Sequence, residues 1–276
     1  MKFLGVMQIT IGHTPDADDA FMFYAMTHGK IDMRGFTIHE FIEDIEKLNQ
    51  RAFNCELDVT AISAHAYAFL QDCYRILSAG SSVGVRYGPI VVSKTFEDLE
   101  GKHIAIPGRY TTAFLLLKLA LDEFSWVEMR FDRIMDAVVK GVVDAGLLIH
   151  EGQLTYRDMG LTCVLDLSEW WEEKTGLPLP LGLNAIKRSI PEKKAEEFLT
   201  LMKDSIKFAL NNVDEALDYA MKYSRGTPRD LVKRFALMYV NEYTYEMPDS
   251  IKEALQQLFT MARDKDLVGN VTLDIL

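Results

Sequence analysis

Strand-like and helix-like segments alternate through the first two thirds of the chain, joined by short polar loops. Helices covering both faces of a parallel sheet require this alternation, so it predicts an α/β architecture. The opening unit reads as a strand over Gln8–Gly12, a loop from His13 to Asp19, and an apolar helix from Ala20 to near His28. A strand at Phe36–Phe41, a helix from near Asp44 to Phe53, a strand at Leu57–Ile62 and a helix beginning near Ser63 follow. Gly80, Gly84 and Gly88-Pro89 mark turns before a short buried strand, Ile90–Ser93.

A second block, opening at Phe96-Glu97-Asp98-Leu99-Glu100-Gly101, repeats the grammar. It runs from a strand at His103–Ile106 through Pro107-Gly108-Arg109-Tyr110 to a helix from Thr111 to near Glu123. A strand at Val127–Phe131, a helix at Asp132–Lys140 and a strand at Asp144–Ile149 complete it. Two such blocks predict two facing lobes, lobe I over 1–93 and 185–276 and lobe II over 94–184, with a ligand cleft between them. Past Pro178-Leu179-Pro180-Leu181-Gly182, read as a break and crossover, four amphipathic helices are expected: Pro191–Leu210, Asp214–Tyr223, Pro228 to near Val240, and Ser250 to near Lys265. They carry no cluster of reactive side chains and read as scaffold returning to lobe I.

Of the 276 residues 41 are acidic and 30 basic, a net charge of −11 that repels phosphate backbones and anionic membrane surfaces in the absence of a basic patch. Lys187-Arg188 and Lys193-Lys194 read as solvated faces, so neither a nucleic acid nor a membrane is an expected partner. Three cysteines without C-x-x-C spacing predict neither a disulfide framework nor a zinc site, and point to a reducing, cytoplasmic setting. The amino terminus runs directly into a strand-like segment, without the pattern of a secretory signal. No Gly-x-Gly-x-x-Gly or Walker loop is present, so no nucleotide cofactor is implied.

Chemistry-bearing residues fall at strand ends and helix starts. The apolar run Gly146-Leu147-Leu148-Ile149 stops at His150-Glu151, and ligands of parallel α/β sheets collect at the carboxyl ends of strands. His150 is therefore the first candidate for chemistry, against the plainer reading of a satisfied histidine at a strand end. Thr111 and Thr112 begin a helix whose unpaired N–H groups and positive dipole end suit an anion, although Thr there also serves as a cap. Ser63 sits at a strand-to-helix junction with the same two readings, and His65 reads as packing. Asp16, Asp18 and Asp19 lack the spacing of a calcium loop; acidic residues are expected at a helix start, and Asp18 or Asp19 is expected to line the cleft. Arg109 is either an anion contact or a solvated loop arginine. Trp170-Trp171 reads as lobe packing.

Four segments together resemble the menaquinone-biosynthesis family of the futalosine route, most closely its 1,4-dihydroxy-6-naphthoate synthases. They are Phe21-Met22-Phe23-Tyr24-Ala25, Pro107 to Ala113, Gly146 to Glu151, and Trp170 to Gly182. One loop departs: the family often has Ser-Pro-Cys-Pro-Asn-Asp where this chain has Thr14-Pro15-Asp16-Ala17-Asp18-Asp19. The resemblance implies a fold like the type II periplasmic binding proteins, with a small anionic substrate held between two lobes. It also implies conversion of cyclic dehypoxanthinyl futalosine to 1,4-dihydroxy-6-naphthoate with loss of dihydroxyacetone, without a cofactor or metal. The family's catalytic histidine falls on His150, expected as a general base because imidazole exchanges protons near neutral pH. Substrate contacts fall on Ala61-Ile62-Ser63 and Thr111-Thr112, with Asn49 at a further matching position. The rival readings are a solute-binding protein without catalysis, which leaves His150 without a task, and the chorismate dehydratase of the same pathway.

Overall fold

The structure is a computed structural model that describes residues 6–95 and 98–276. Among these, the strands are β1 (Met7–His13), β2 (Phe36–Ile42), β3 (Val59–Ser63), β4 (Tyr74–Ile76), β5 (Ser82–Gly84), β6 (Ile90–Ser93), β7 (His103–Ile106), β8 (Ser125–Glu128), β9 (Ala145–Leu148), β10 (Thr162–Asp166) and β11 (Leu179–Lys187). The helices are α1 (Ala17–Thr27), α2 (Ile45–Phe53), α3 (Ala64–Tyr67), α4 (Thr112–Ala120), α5 (Ile134–Val139), α6 (Gly152–Thr155), α7 (Leu167–Thr175), α8 (Glu192–Asn211), α9 (Val213–Ala220), α10 (Arg229–Tyr239), α11 (Glu242–Tyr245) and α12 (Asp249–Asp264). The expected opening of the second block at Phe96 and Glu97 lies outside the described residues.

Two mixed sheets carry the two lobes. The first has the order β2-β1-β3-β11-β4, with β5 also on β11; the second has the order β10-β6-β9-β7-β8. β1 pairs in parallel with β2 and β3, and β7 in parallel with β8 and β9, as crossover helices demand. β11 runs antiparallel to β3, β4 and β5, and β6 antiparallel to β9 and β10. The α/β two-lobed class read from the sequence is therefore borne out.

Sheet membership departs from the expected lobe boundaries in two places. Strand β6, placed in lobe I by a boundary after residue 93, pairs within the second sheet. Residues 178–182, expected as a break, instead begin β11, which belongs to the first sheet from Leu179 onward. Pro180 is tolerated because the register against β5 slips between Pro180 and Gly182, where a missing ladder donor costs little.

The apolar core explains the placement of the helices. Helix α1 is buried from Ala17 through Met26, a pattern found only where neighbours cover every face. Phe21, Phe23 and Met26 pack with Phe198, Met202 and Leu217 of α8 and α9. A second cluster crosses between the lobes: Ile62 and Tyr67 share it with Phe114 of α4, Trp171 of α7 and Leu255 of α12. That shared core joins the two lobes. The Trp171 indole donates to Pro178 O at 3.1 Å, consistent with the packing role read for it.

The cysteine expectation is overturned. Cys55 and Cys73 form a disulfide with Cα atoms 6.3 Å apart. They stand 18 residues apart in sequence and meet because the chain folds back through β3 and α3. Cys163 is free.

Candidate active site

The cleft between the lobes encloses about 740 Å³ of empty space, part of it open to solvent. Its lining is drawn from the loop before α1, the end of β3, the start of α4, the segment after β9, and β11. These are the strand ends and helix starts at which ligands gather in α/β sheets.

His150 follows the end of β9 with φ of 65°, a left-handed conformation that a non-glycine residue holds only when its surroundings impose it. Its Nδ1 lies 2.8 Å from Asp16 Oδ2, and both side chains are buried. Asp16 occupies the N-cap position of α1, yet its carboxylate makes no capping bond. The carboxylate is committed instead to His150 and to Arg225, whose Nη2 donates to Asp16 Oδ1 at 3.0 Å. Burial alone pushes the Asp16 carboxyl up, but the His150 and Arg225 charges outweigh it and hold the group at about 2. An ionised carboxylate only accepts, so the bridging proton sits on Nδ1, and it is in the neutral form of the ring that Nε2 carries the lone pair. That Nε2 is sealed from solvent and has no hydrogen-bond partner among the described residues. The Phe131 ring covers the imidazole at a centroid distance of 3.9 Å.

Arg225 joins elements far apart in sequence. Besides Asp16 it donates to Pro15 O at 2.8 Å and to Glu151 Oε2 at 3.4 Å, and it lies 4.6 Å over the Phe131 ring. It thus ties the tail of lobe I to the loop after β9 in lobe II.

Across the cleft, Asn49 holds Ser63 from behind. Its Oδ1 accepts from Ser63 N at 2.9 Å and its Nδ2 donates to Ser63 Oγ at 3.1 Å. Since Ser63 Oγ accepts there, its own hydroxyl proton is left to donate elsewhere. Thr111 caps α4 by accepting from Phe114 N at 3.2 Å, while Thr112 Oγ1 donates to Leu181 O at 2.6 Å. Both hydroxyls serve structure, and the polarity offered to a ligand at this end is that of first-turn N–H groups that no intrahelical carbonyl reaches. Asn184 of β11, a cleft-lining residue, donates to Gly80 O at 2.8 Å and leaves its Oδ1 sealed and without a partner among the described residues.

The structure brings His150, Ala61, Ile62, Ser63, Thr111, Thr112 and Asp18 together on the cleft wall. It does not bring two expected contacts there. Asn49 is fully buried behind Ser63 and supports it without lining the cavity. Arg109 points away, paired with Glu128 at 3.1 Å and resting on Trp126 at 5.5 Å, because β8 supplies a carboxylate at that rim. His65 packs as expected, with burial driving its pKa down to about 4.

Sequence reasoning missed Asp16, Arg225 and Asn184. Asp16 resembled an ordinary cap, and its signal was the loop's departure from the family pattern, since Asp16 stands where that pattern has Cys. Arg225 lies in the helical tail, which therefore does more than pack as scaffold: it supplies a side chain to the His150 neighbourhood.

A menaquinone biosynthesis family profile matches residues 9–264. The chain belongs to the menaquinone biosynthesis family. A curated relative in this family, the 1,4-dihydroxy-6-naphtoate synthase of Thermus thermophilus, is 37% identical over 95% of this chain and 96% of its own length. The resemblance read from the four segments is thereby borne out, and with it the expectation of a lyase family. Among solved structures, protein AF1704 from Archaeoglobus fulgidus is 64% identical, with a TM-score of 0.93 over 95% of this chain and 98% of that one. The alkanesulfonate-binding protein SsuA from Xanthomonas axonopodis pv. citri, bound to MOPS, has a TM-score of 0.72 at 15% identity over 98% of each chain. The last likeness establishes that this family member has the periplasmic binding protein fold.

Proposed function

We propose that this protein is a cytoplasmic lyase that converts cyclic dehypoxanthinyl futalosine to 1,4-dihydroxy-6-naphthoate and dihydroxyacetone, with His150 as general base. The observation that carries the reading is the His150 residue on the cleft wall, its ring held at Nδ1 by ionised Asp16 and its Nε2 left without a partner among the described residues. A base needs a free lone pair and an orienting partner, and this pair supplies both.

In the proposed step Nε2 accepts the proton of a substrate hydroxyl. The O–H electron pair becomes the second bond of a carbonyl in the departing three-carbon fragment. The adjoining carbon–carbon bond breaks, and its electrons enter the ring carbonyl system, which takes up a proton and aromatises. Asp16 stabilises the imidazolium formed on the way. Ser63, the start of α4 and Asn184 Oδ1 offer donors and an acceptor to hold the bicyclic acid, and enclosure by the lobes keeps water from the intermediate.

Incubating the purified protein with the cyclic futalosine derivative and following the naphthoate by chromatography tests the proposal. Naphthoate and dihydroxyacetone in equal amounts are expected. Substrate bound but returned unchanged favours a solute-binding protein, and dehydration of chorismate favours the other enzyme of the route.

A further inference from the structure

Asp18 is buried in the first turn of α1, lines the cleft, and has its Oδ1 sealed from solvent without a hydrogen-bond partner among the described residues. Of the carboxyls around it, Glu151 keeps one oxygen, Oε1, without a partner among the described residues, while the two aspartates are engaged. Asp19 accepts from Thr14 N at 2.6 Å, and Asp16 is taken by His150 and Arg225. The cations nearby are committed too: Arg225 faces Asp16 and Glu151, and His13 is bonded to Glu40 at 3.2 Å. From α10 the neighbour is Tyr239, neutral because burial holds its phenol far above the usual range and engaged with Gln153 at 3.2 Å. No ion pair to Asp18 forms among the described residues. A carboxylate buried beside three other carboxyls without a cation is strongly disfavoured, whereas a carboxylic acid is a compact neutral donor.

We infer that Asp18 works as a neutral carboxylic acid whose O–H donates to the carboxylate of the bound aromatic acid. The inference rests on the cleft being the substrate site. It accounts for an anion entering an acid-rich cavity: Asp18 meets it as a hydrogen-bond donor without charge. Burial first, then the charges of Asp19, Asp16 and Glu151, raise the Asp18 pKa well above the ordinary carboxyl range, in agreement with the protonated form. A carboxyl group of this kind discriminates by charge and geometry together, because ionisation both removes the donor and places like charge against the ligand.

The test is equilibrium binding of 2-naphthoate, whose single ionisable group stays charged from about pH 6 to pH 9.5. Wild-type protein, Asp18→Asn and Asp18→Ala are compared over that range. Wild-type affinity is expected to weaken about tenfold or more toward alkaline pH, as the Asp18 proton is lost. Asp18→Asn keeps a neutral donor of the same shape and is expected to lose that alkaline weakening, while Asp18→Ala binds about tenfold less tightly near pH 7. The same alkaline slope in Asp18→Asn and wild type overturns the inference, as does unweakened binding by Asp18→Ala. Failure of wild type to bind 2-naphthoate while still forming product from the cyclic substrate overturns the inference alone. Failure of both overturns the proposed function with it.

Discussion

His150 Nδ1 and Asp16 Oδ2 lie 2.8 Å apart, a bond that joins the end of a lobe II strand to the start of a lobe I helix. The pair fixes the ring tautomer and leaves Nε2 as the basic atom. In Asp16→Asn the ring loses its anionic anchor, and the amide can donate to Nδ1 and so trap the wrong tautomer. Steady-state kinetics are expected to show kcat lower by about 10²- to 10³-fold with substrate KM changed much less.

Asn49 is a support for Ser63, which lines the cleft. Asn49→Ala leaves the buried Ser63 N–H unpaired and frees its hydroxyl to rotate. Thermal unfolding is expected to show a loss of about 1–3 kcal/mol, and ligand affinity a drop of about tenfold.

Gly80 has a φ of 87°, and a Cβ there would lie 2.1 Å from Met202 Cε and 2.7 Å from Asn184 Nδ2. Gly80→Ala therefore combines a left-handed alanine with a collision against the side chain that presents the free Asn184 Oδ1. A loss of about 2 kcal/mol or more is expected in denaturant titration, with weakened ligand binding beside it.

Glu46 of α2 accepts from Tyr110 N of lobe II at 3.1 Å, and burial raises its pKa from the ordinary 4.5 to about 7. Between those values the folded protein binds more protons than the unfolded chain, so this group makes stability fall as pH rises from near 4.5 to 7. The penalty is complete above about 7 and absent below the unfolded value. Glu46→Gln keeps an acceptor for Tyr110 N without the charge. Its stability is expected to lack that slope and to exceed wild type by up to about 3 kcal/mol near pH 8, read from denaturant midpoints across pH.

Legibility in the sequence followed the range of the signal. Strands β6 and β7 match their expected bounds because each is a buried run between turn residues. β4 and β5 are three residues long, too short for a period of two to register. β11 was hidden because a proline and a glycine punctuate its first half, and only pairing with three partners shows that a bulge absorbs them. At the site, His150, Ser63 and the start of α4 were visible as strand ends and a helix cap. Asp16 and Arg225 were not, since 134 and 74 residues respectively separate them from the His150-Glu151 partners they serve. Arg109 misled because its place beside a helix start says nothing of Glu128, with which it pairs across the edge of the second sheet.

Single-turnover formation of 1,4-dihydroxy-6-naphthoate by His150→Gln, with circular dichroism and 2-naphthoate affinity recorded on the same preparation, decides whether the imidazole is the base. A rate at least about 10³-fold below wild type, at wild-type fold and similar affinity, is the expected result. Turnover within a few-fold of wild type contradicts the assignment of proton transfer to His150.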